Sequence, residues 1–261
     1  MKSLLIVPLL LTSAMAQTVL NCEQPVVISC RVSTVGGGNT NPTTPAQFAV
    51  VQTKSVSVVA GNTAVVKLSN PTTAGSHLLA IITDYYGKST FRVNDNQGHS
   101  FQQDFASTGP LCSGCGSAGS IVGASAYMGT NVGTGHEVTA TSSGAQDYFL
   151  LTVVEVRGLP STNWFQSVSA YTGGTATANF SASVKTDTTP SIVIGIAHAW
   201  STATAQGNST TWTSIESFAD NYHRTFIQDQ PQATPDSITF SGKLSAPSSV
   251  AAVAASYRVS N

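Results

Sequence analysis

From Phe48 onward the chain reads as a series of short runs in which apolar and polar positions alternate, the period of a half-buried strand. "HEVTATS" (136–142) is such a run, with one face for a core and one for water. Three runs are apolar on both faces, 78–82, 149–156 and 192–199, and are predicted as central strands. About a dozen segments emerge, including "TAVVKLS", "HLLAIITD", "SIVGASAYM", "DYFLLTVVEV", "SIVIGIAHAW" and "VAAVAASYRV", separated by Gly, Asn, Pro, Ser and Thr clusters. No window holds a helical period over three turns. The expectation is an all-β fold, a single antiparallel β-sandwich of about 12 strands over residues 48–261.

The first residues follow another pattern. Lys2, an apolar run from Leu4 to Leu11 and the small-x-small sequence Ala14-Met15-Ala16 read as a secretory signal peptide over 1–16. Residues 17–47 read as an N-terminal arm with a cysteine pair, ending in the linker-like "VGGGNTNPTTPAQ". Secretion makes disulfides the expected state of Cys22, Cys30, Cys112 and Cys115. Three pairings are open. The local one, Cys22 with Cys30 and Cys112 with Cys115, closes the shortest loops. A redox reading of "CSGCG" lacks the helix start that lowers a thiol pKa, and zinc lacks a second ligand pair at matching spacing.

Composition narrows the function. Only 9% of residues are charged, against a usual value of about 25%, and 34 Ser and 33 Thr take their place. A net charge of −1 with no basic patch argues against nucleic acid as partner, and no stretch argues for membrane insertion. A nearly uncharged surface also lowers repulsion between copies.

Four blocks, "STFRVNDNQGHSFQQ", "SAYMGTNVGTGHEVTATSS", "FLLTVVEVRGL" and "FSASVKTDTTPSIVIGIA", together resemble a domain of secreted bacterial proteins. The resemblance covers residues 50–259. It implies an antiparallel sandwich of jelly-roll or immunoglobulin-like type, and no activity. The "CSGCG" loop and the "HAW" strand end depart from the pattern.

Candidate chemistry is sparse. "RVNDNQGHSF" (92–101) is expected to be a hairpin tip, since Asn, Asp and Gly suit left-handed and Asx-turn positions. Its alternative is a calcium or glycan-contacting loop using Asp95 with Asp104, so calcium is the one cofactor considered. By strand alternation, Asp84, Glu155 and His198 each close an apolar face. Were those ends to converge, they would form an acid/base or metal site; otherwise each is a strand end reaching water. Glu155 with Glu137 or Asp84 is the available carboxylate pair for glycoside hydrolysis. No G-x-S-x-G elbow is present. Trp164, Trp212, Tyr85 and Tyr86 are candidate sugar-stacking residues, with Tyr171 and Tyr222 behind them, while Trp200 reads as core.

Two functions follow as expectations. The first is a secreted, extracellular, non-enzymatic protein that binds polysaccharide or cell-surface glycan, or assembles with copies of itself through sheet edges. The second is an extracellular polysaccharide hydrolase or metal-dependent enzyme with its site at the strand ends.

Overall fold

The computed structural model describes residues 48–87, 89–108, 119–130, 133–187, 190–199, 205–207, 211–221 and 223–260, with the side chains of 172–177 and 205–207 left aside. The expected leader, arm and all four cysteines lie outside these residues, as do Trp200 and Tyr222. The described residues within Thr44–Asn261 form one compact unit.

Among the described residues fourteen strands are present: β1 (Ala49–Gly61), β2 (Thr63–Lys67), β3 (His77–Asp84), β4 (Phe91–Asp95), β5 (Gln102–Thr108), β6 (Ser120–Tyr127), β7 (Glu137–Ser142), β8 (Asp147–Arg157), β9 (Phe165–Lys185), β10 (Ser191–Ala199), β11 (Ala205–Gly207), β12 (Thr213–Ala219), β13 (Arg224–Gln232) and β14 (Ser237–Arg258). They form three antiparallel sheets. A central sheet runs β1-β8-β3-β6-β5, a small sheet runs β2-β7-β4, and a third runs β11-β14-β10-β13-β12 with β9 also on β14.

The central sheet is covered on both sides, which explains why its inner strands β8, β3 and β6 lack a wet face. On β3, Leu78, Ala80 and Ile82 pack with Val66, Val138 and Ala140 of the small sheet. Leu79 and Ile81 face the other way, toward Ile192, Ile194 and Val253 of the third sheet. Strand alternation thus feeds two cores from one strand. The third sheet has its own cover. The β9–β14 ribbon breaks register between Lys243 and Ser248, and its far part brings Phe180 and Phe240 onto Val193 and Ala197 of β10. Only glycine fits beneath that ring: a Cβ on Gly195 would lie 2.3 Å from Phe240 Cδ2.

The first eight strands nest as pairs, β1 with β8, β2 with β7 and β3 with β6. The innermost step breaks the pattern. β4 bonds to β7 in the small sheet, whereas β5 bonds to β6 in the central sheet. Residues 96–101 therefore cross from one layer to the other. The sequence stretch expected to be a hairpin tip is a crossing instead, because the flanking strands find partners in different sheets.

Candidate functional site

At the start of that crossing the chain turns on the Asp95 carboxylate. The backbone N–H groups of Gln97 and His99 donate to Asp95 Oδ1 at 3.1 and 2.9 Å. Gly98 takes φ +83°, a conformation that a residue with a side chain rarely adopts. This Asx turn folds His99 back on its own anchor, with Nδ1 2.5 Å from Asp95 Oδ2. The second histidine comes from far along the chain. Asp95 is opposite Val138 in the β4–β7 ladder, so the residue before β7, His136, reaches the same carboxylate, Nε2 to Oδ2, at 2.8 Å.

The crossing is pinned in place. Glu137 N–H donates to Asn96 Oδ1 and Asn96 Nδ2 donates to Gly135 O, both at 3.0 Å. Behind His136, Thr72 Oγ1 sits 3.2 Å from Nδ1. The two imidazoles stack, with centroids 5.6 Å apart and planes 19° from parallel. The Asp95 and His136 side chains have no exposed surface, and that of His99 is 10% exposed. Burial works to raise the Asp95 pKa, but hydrogen bonds from His99 and His136 outweigh it and hold the group below the usual carboxylate value.

Among the described residues, these three offer metal-ligand atoms all within 4.8 Å of one another. Two imidazoles and one carboxylate suit zinc or another first-row transition ion better than calcium, which takes six or more oxygens. Ligands on one tetrahedral ion sit roughly 3.4 Å apart, so entry of an ion requires the present contacts to open by less than about 1 Å. Asp104, the other residue considered for a cation, faces elsewhere. It accepts a 3.1 Å bond from Tyr257 OH, and burial pushes its pKa up to about 6.

Asp84, Glu155 and His198 do not form one site. Asp84 is opposite Phe149 on β8, six residues from Glu155, a separation of roughly 20 Å. Glu155 is buried at its own end, where Gln52 Nε2 and Thr73 N–H each donate to it at 2.6 Å. Asp84 and His198 do share an end. Gly119 lies between them, a Cβ there meeting His198 Cδ2 at 2.6 Å and Asp84 O at 2.9 Å. Their side chains have separate partners. His198 Nδ1 lies 3.3 Å from Thr225 Oγ1, its ring centroid is 5.7 Å from that of His223, and burial lowers its pKa to about 3. Asp84 pairs with Asp147. Burial first, and the Asp147 charge second, push the Asp84 pKa up to about 7. Burial opposes ionisation of Asp147 as well, but bonds from Ser142, Ser89 and its neighbour Tyr148 hold it low. One proton is thus shared between two carboxyls, as for any close acid pair.

The aromatic candidates divide. Trp212 is buried 5.0 Å from Phe240, and Trp164 packs on the central core and donates from Nε1 to Ser125 Oγ at 2.7 Å. Trp212 thus offers no ring face to a sugar, whereas Trp164 is only half-buried. Tyr171 packs against the third core. Tyr85 and Tyr86 form a cluster with Tyr148, at centroid distances of 5.1 to 6.0 Å, and Tyr86 is exposed. Glu137, on the surface, pairs with Lys67 at 3.5 Å.

Sequence reasoning found Asp95 and missed both histidines as its partners. The signal for His99 was local, an i+4 imidazole after an Asx-turn aspartate. That for His136 needed the β4–β7 register. No family model matches this chain, and no curated protein or solved structure is similar to it at a significant level. The resemblance to secreted bacterial domains rests on the four sequence blocks alone.

Proposed function

We propose that the protein is a secreted, non-enzymatic binding protein, and that the species held at its best-formed site is a divalent transition-metal ion. The observation that carries this reading is the convergence of His99 Nδ1 and His136 Nε2 on one oxygen of the buried Asp95. Thr72 supports it as the group that orients His136, the usual arrangement behind a ligating imidazole. Three protein donors leave a coordination position for water or another ligand. A metal-dependent hydrolase is the alternative use of this centre.

Titration of metal-free full-length chain by calorimetry with Zn²⁺, Co²⁺ and Ca²⁺ tests the reading. Binding of Zn²⁺ and Co²⁺ at one equivalent, lost in His136→Ala, supports it; preference for Ca²⁺, or retention in the variant, sinks it.

The nested pairs β1·β8, β2·β7 and β3·β6 are what rolling up one long hairpin produces, and on that ground we assign the first eight strands to the jelly-roll type rather than the immunoglobulin-like one. A second reading, glycan contact, is favoured by exposed Tyr86 with Tyr85 and Tyr148 beside it. Retention on cellulose, chitin or xylan that weakens in Tyr86→Ala supports it.

A further inference from the structure

A single long hairpin, rolled up, would pair β4 with β5 and give the small sheet a fourth strand. That pair is missing. β5 leaves for the central sheet, and the small sheet stops at β4. Where the fourth strand would lie there is a cavity of about 390 Å³, lined by Phe91 and Val93 of β4, Phe101 of the crossing, and Val122 and Ala124 of β6. Val122 belongs to the core beneath the small sheet. Gln103 and Ala106 of β5 are opposite Ala124 and Val122, so they project on that same side, and both are exposed. On the other side of β5, Phe105 and Ser107 are buried. The small sheet thus leaves one half of β5 uncovered.

The backbone of β4 is open beside this gap. Ser143 N–H donates to Thr90 O at 2.9 Å, and Asn96 N–H donates to Glu137 O at 3.1 Å. Every second residue of an antiparallel ladder turns to its partner, so Arg92 and Asn94 complete the bonding to β7. Phe91 and Val93 therefore turn their N–H and C=O groups the other way, where no strand lies among the described residues. Edge strands are commonly guarded by bulges, lysine or proline. β1, β5 and β12 each carry a register shift, and β2 ends in Lys67. β4, "FRVND", has none of these guards. An unguarded edge beside an apolar cavity is a place for strand addition, with main-chain bonds for affinity and side-chain pockets for fit.

The chain carries a segment that suits the gap. In residues 26–32, Val26, Ile28, Cys30 and Val32 alternate with Val27, Ser29 and Arg31, the pattern of a strand with one apolar face. The run has seven residues, the length of β5. Residues 33–47 tether it to Phe48 over a reach of up to about 50 Å, enough to meet a second molecule. A net charge of −1 opposes such a meeting little. We propose that the free edge of β4 receives residues 26–32 of a second copy of this chain as the fourth strand of its small sheet. Val26, Ile28 and Val32 would lie over Val122, Ala124 and the open side of β5. The donor's own β4 edge stays free for a third copy, so the contact is head-to-tail and builds rings or filaments.

Two variants of the full chain separate the halves of this contact. Ile28→Asp spoils the donated strand and leaves the edge intact. Gln103→Lys places a charge in the gap at an exposed position, so its unfolding midpoint should match the parent's, and it leaves the donor intact. Light scattering should show assemblies for the parent and monomers for each variant alone. An equimolar mixture of the two should form a one-to-one dimer, because one supplies the strand and the other the edge. A labelled peptide of residues 24–34 with Cys30→Ala should bind the Ile28→Asp chain, and about ten-fold or more weaker to a chain carrying Gln103→Lys as well. Hydrogen exchange should slow at the Phe91 and Val93 amides on peptide binding, with Arg92 and Asn94 already protected. Assemblies that persist in both variants place the interface elsewhere and overturn the proposal. A monomeric parent whose Phe91 and Val93 amides are protected, with that protection lost in Ile28→Asp, means that the chain fills its own edge and overturns the intermolecular contact. A monomeric parent whose edge does not bind the peptide overturns strand addition altogether.

Discussion

The Asp95 corner and the Asp84 end use the same residue types to opposite effect. Asp95 is buried among hydrogen-bond donors, two of them imidazole nitrogens, and stays ionised. Asp84 is buried against a second carboxyl, with backbone N–H groups as its other partners, and holds a proton to about pH 7. Burial raises both; the neighbours decide the outcome. The Asp95 corner keeps its one carboxylate charged beside two imidazoles, whereas the Asp84 end keeps one charge, on Asp147, for two carboxyls.

Asp95→Ala breaks the comparison most severely. It strips two buried imidazole nitrogens and two turn N–H groups of their acceptor, and the expected loss is about 3–5 kcal/mol by denaturant unfolding, together with all metal binding. Zn²⁺ at about 100 times its Kd should raise stability by roughly 2.7 kcal/mol, and His136→Gln should remove that increment; a Zn²⁺ effect unchanged in the variant rules out this centre as its source.

The Asp84 end is probed by pH. Its carboxyl keeps a proton that the unfolded chain releases near 3.8, so stability attributable to it falls as pH rises from about 4 to about 7. His77 and His198, buried and neutral, run the other way, adding stability as pH rises toward 6.5. Asp84→Asn isolates the carboxyl. Its gain over the parent should grow between pH 5 and pH 8, by on the order of 2 kcal/mol, and a pH-independent difference refutes the shared proton. Smallest is Thr72→Val, expected to weaken Zn²⁺ about ten-fold with little change in metal-free stability.

Much of the layer plan could be read from the chain. The segments 78–82, 149–156 and 192–199 are apolar on both faces because their strands each serve two cores. What could not be read was the number of layers, since a two-sided apolar strand does not say what covers it. Trp212 sits among "GNSTTWTS", polar enough to suggest a loop, yet the folded-over β9–β14 ribbon brings Phe240 to it. His136 was hidden for a related reason. Its bond to Asp95 spans 41 residues and depends on a ladder between strands that are not sequence neighbours.

The central sheet also sets an order of events during synthesis. Leu79, Ile81, Phe105, Ile121, Val154 and Val156 all precede their covering partners, Ile192 to Tyr257, in the chain. A chain that has emerged only as far as β8 can roll up its first sheets but carries one uncovered oily face. Such a face attracts other nascent chains. Truncation after Leu159 should therefore yield aggregates rather than a smaller version of the protein, and a chaperone that shields exposed strands should be needed until the last third of the chain is made.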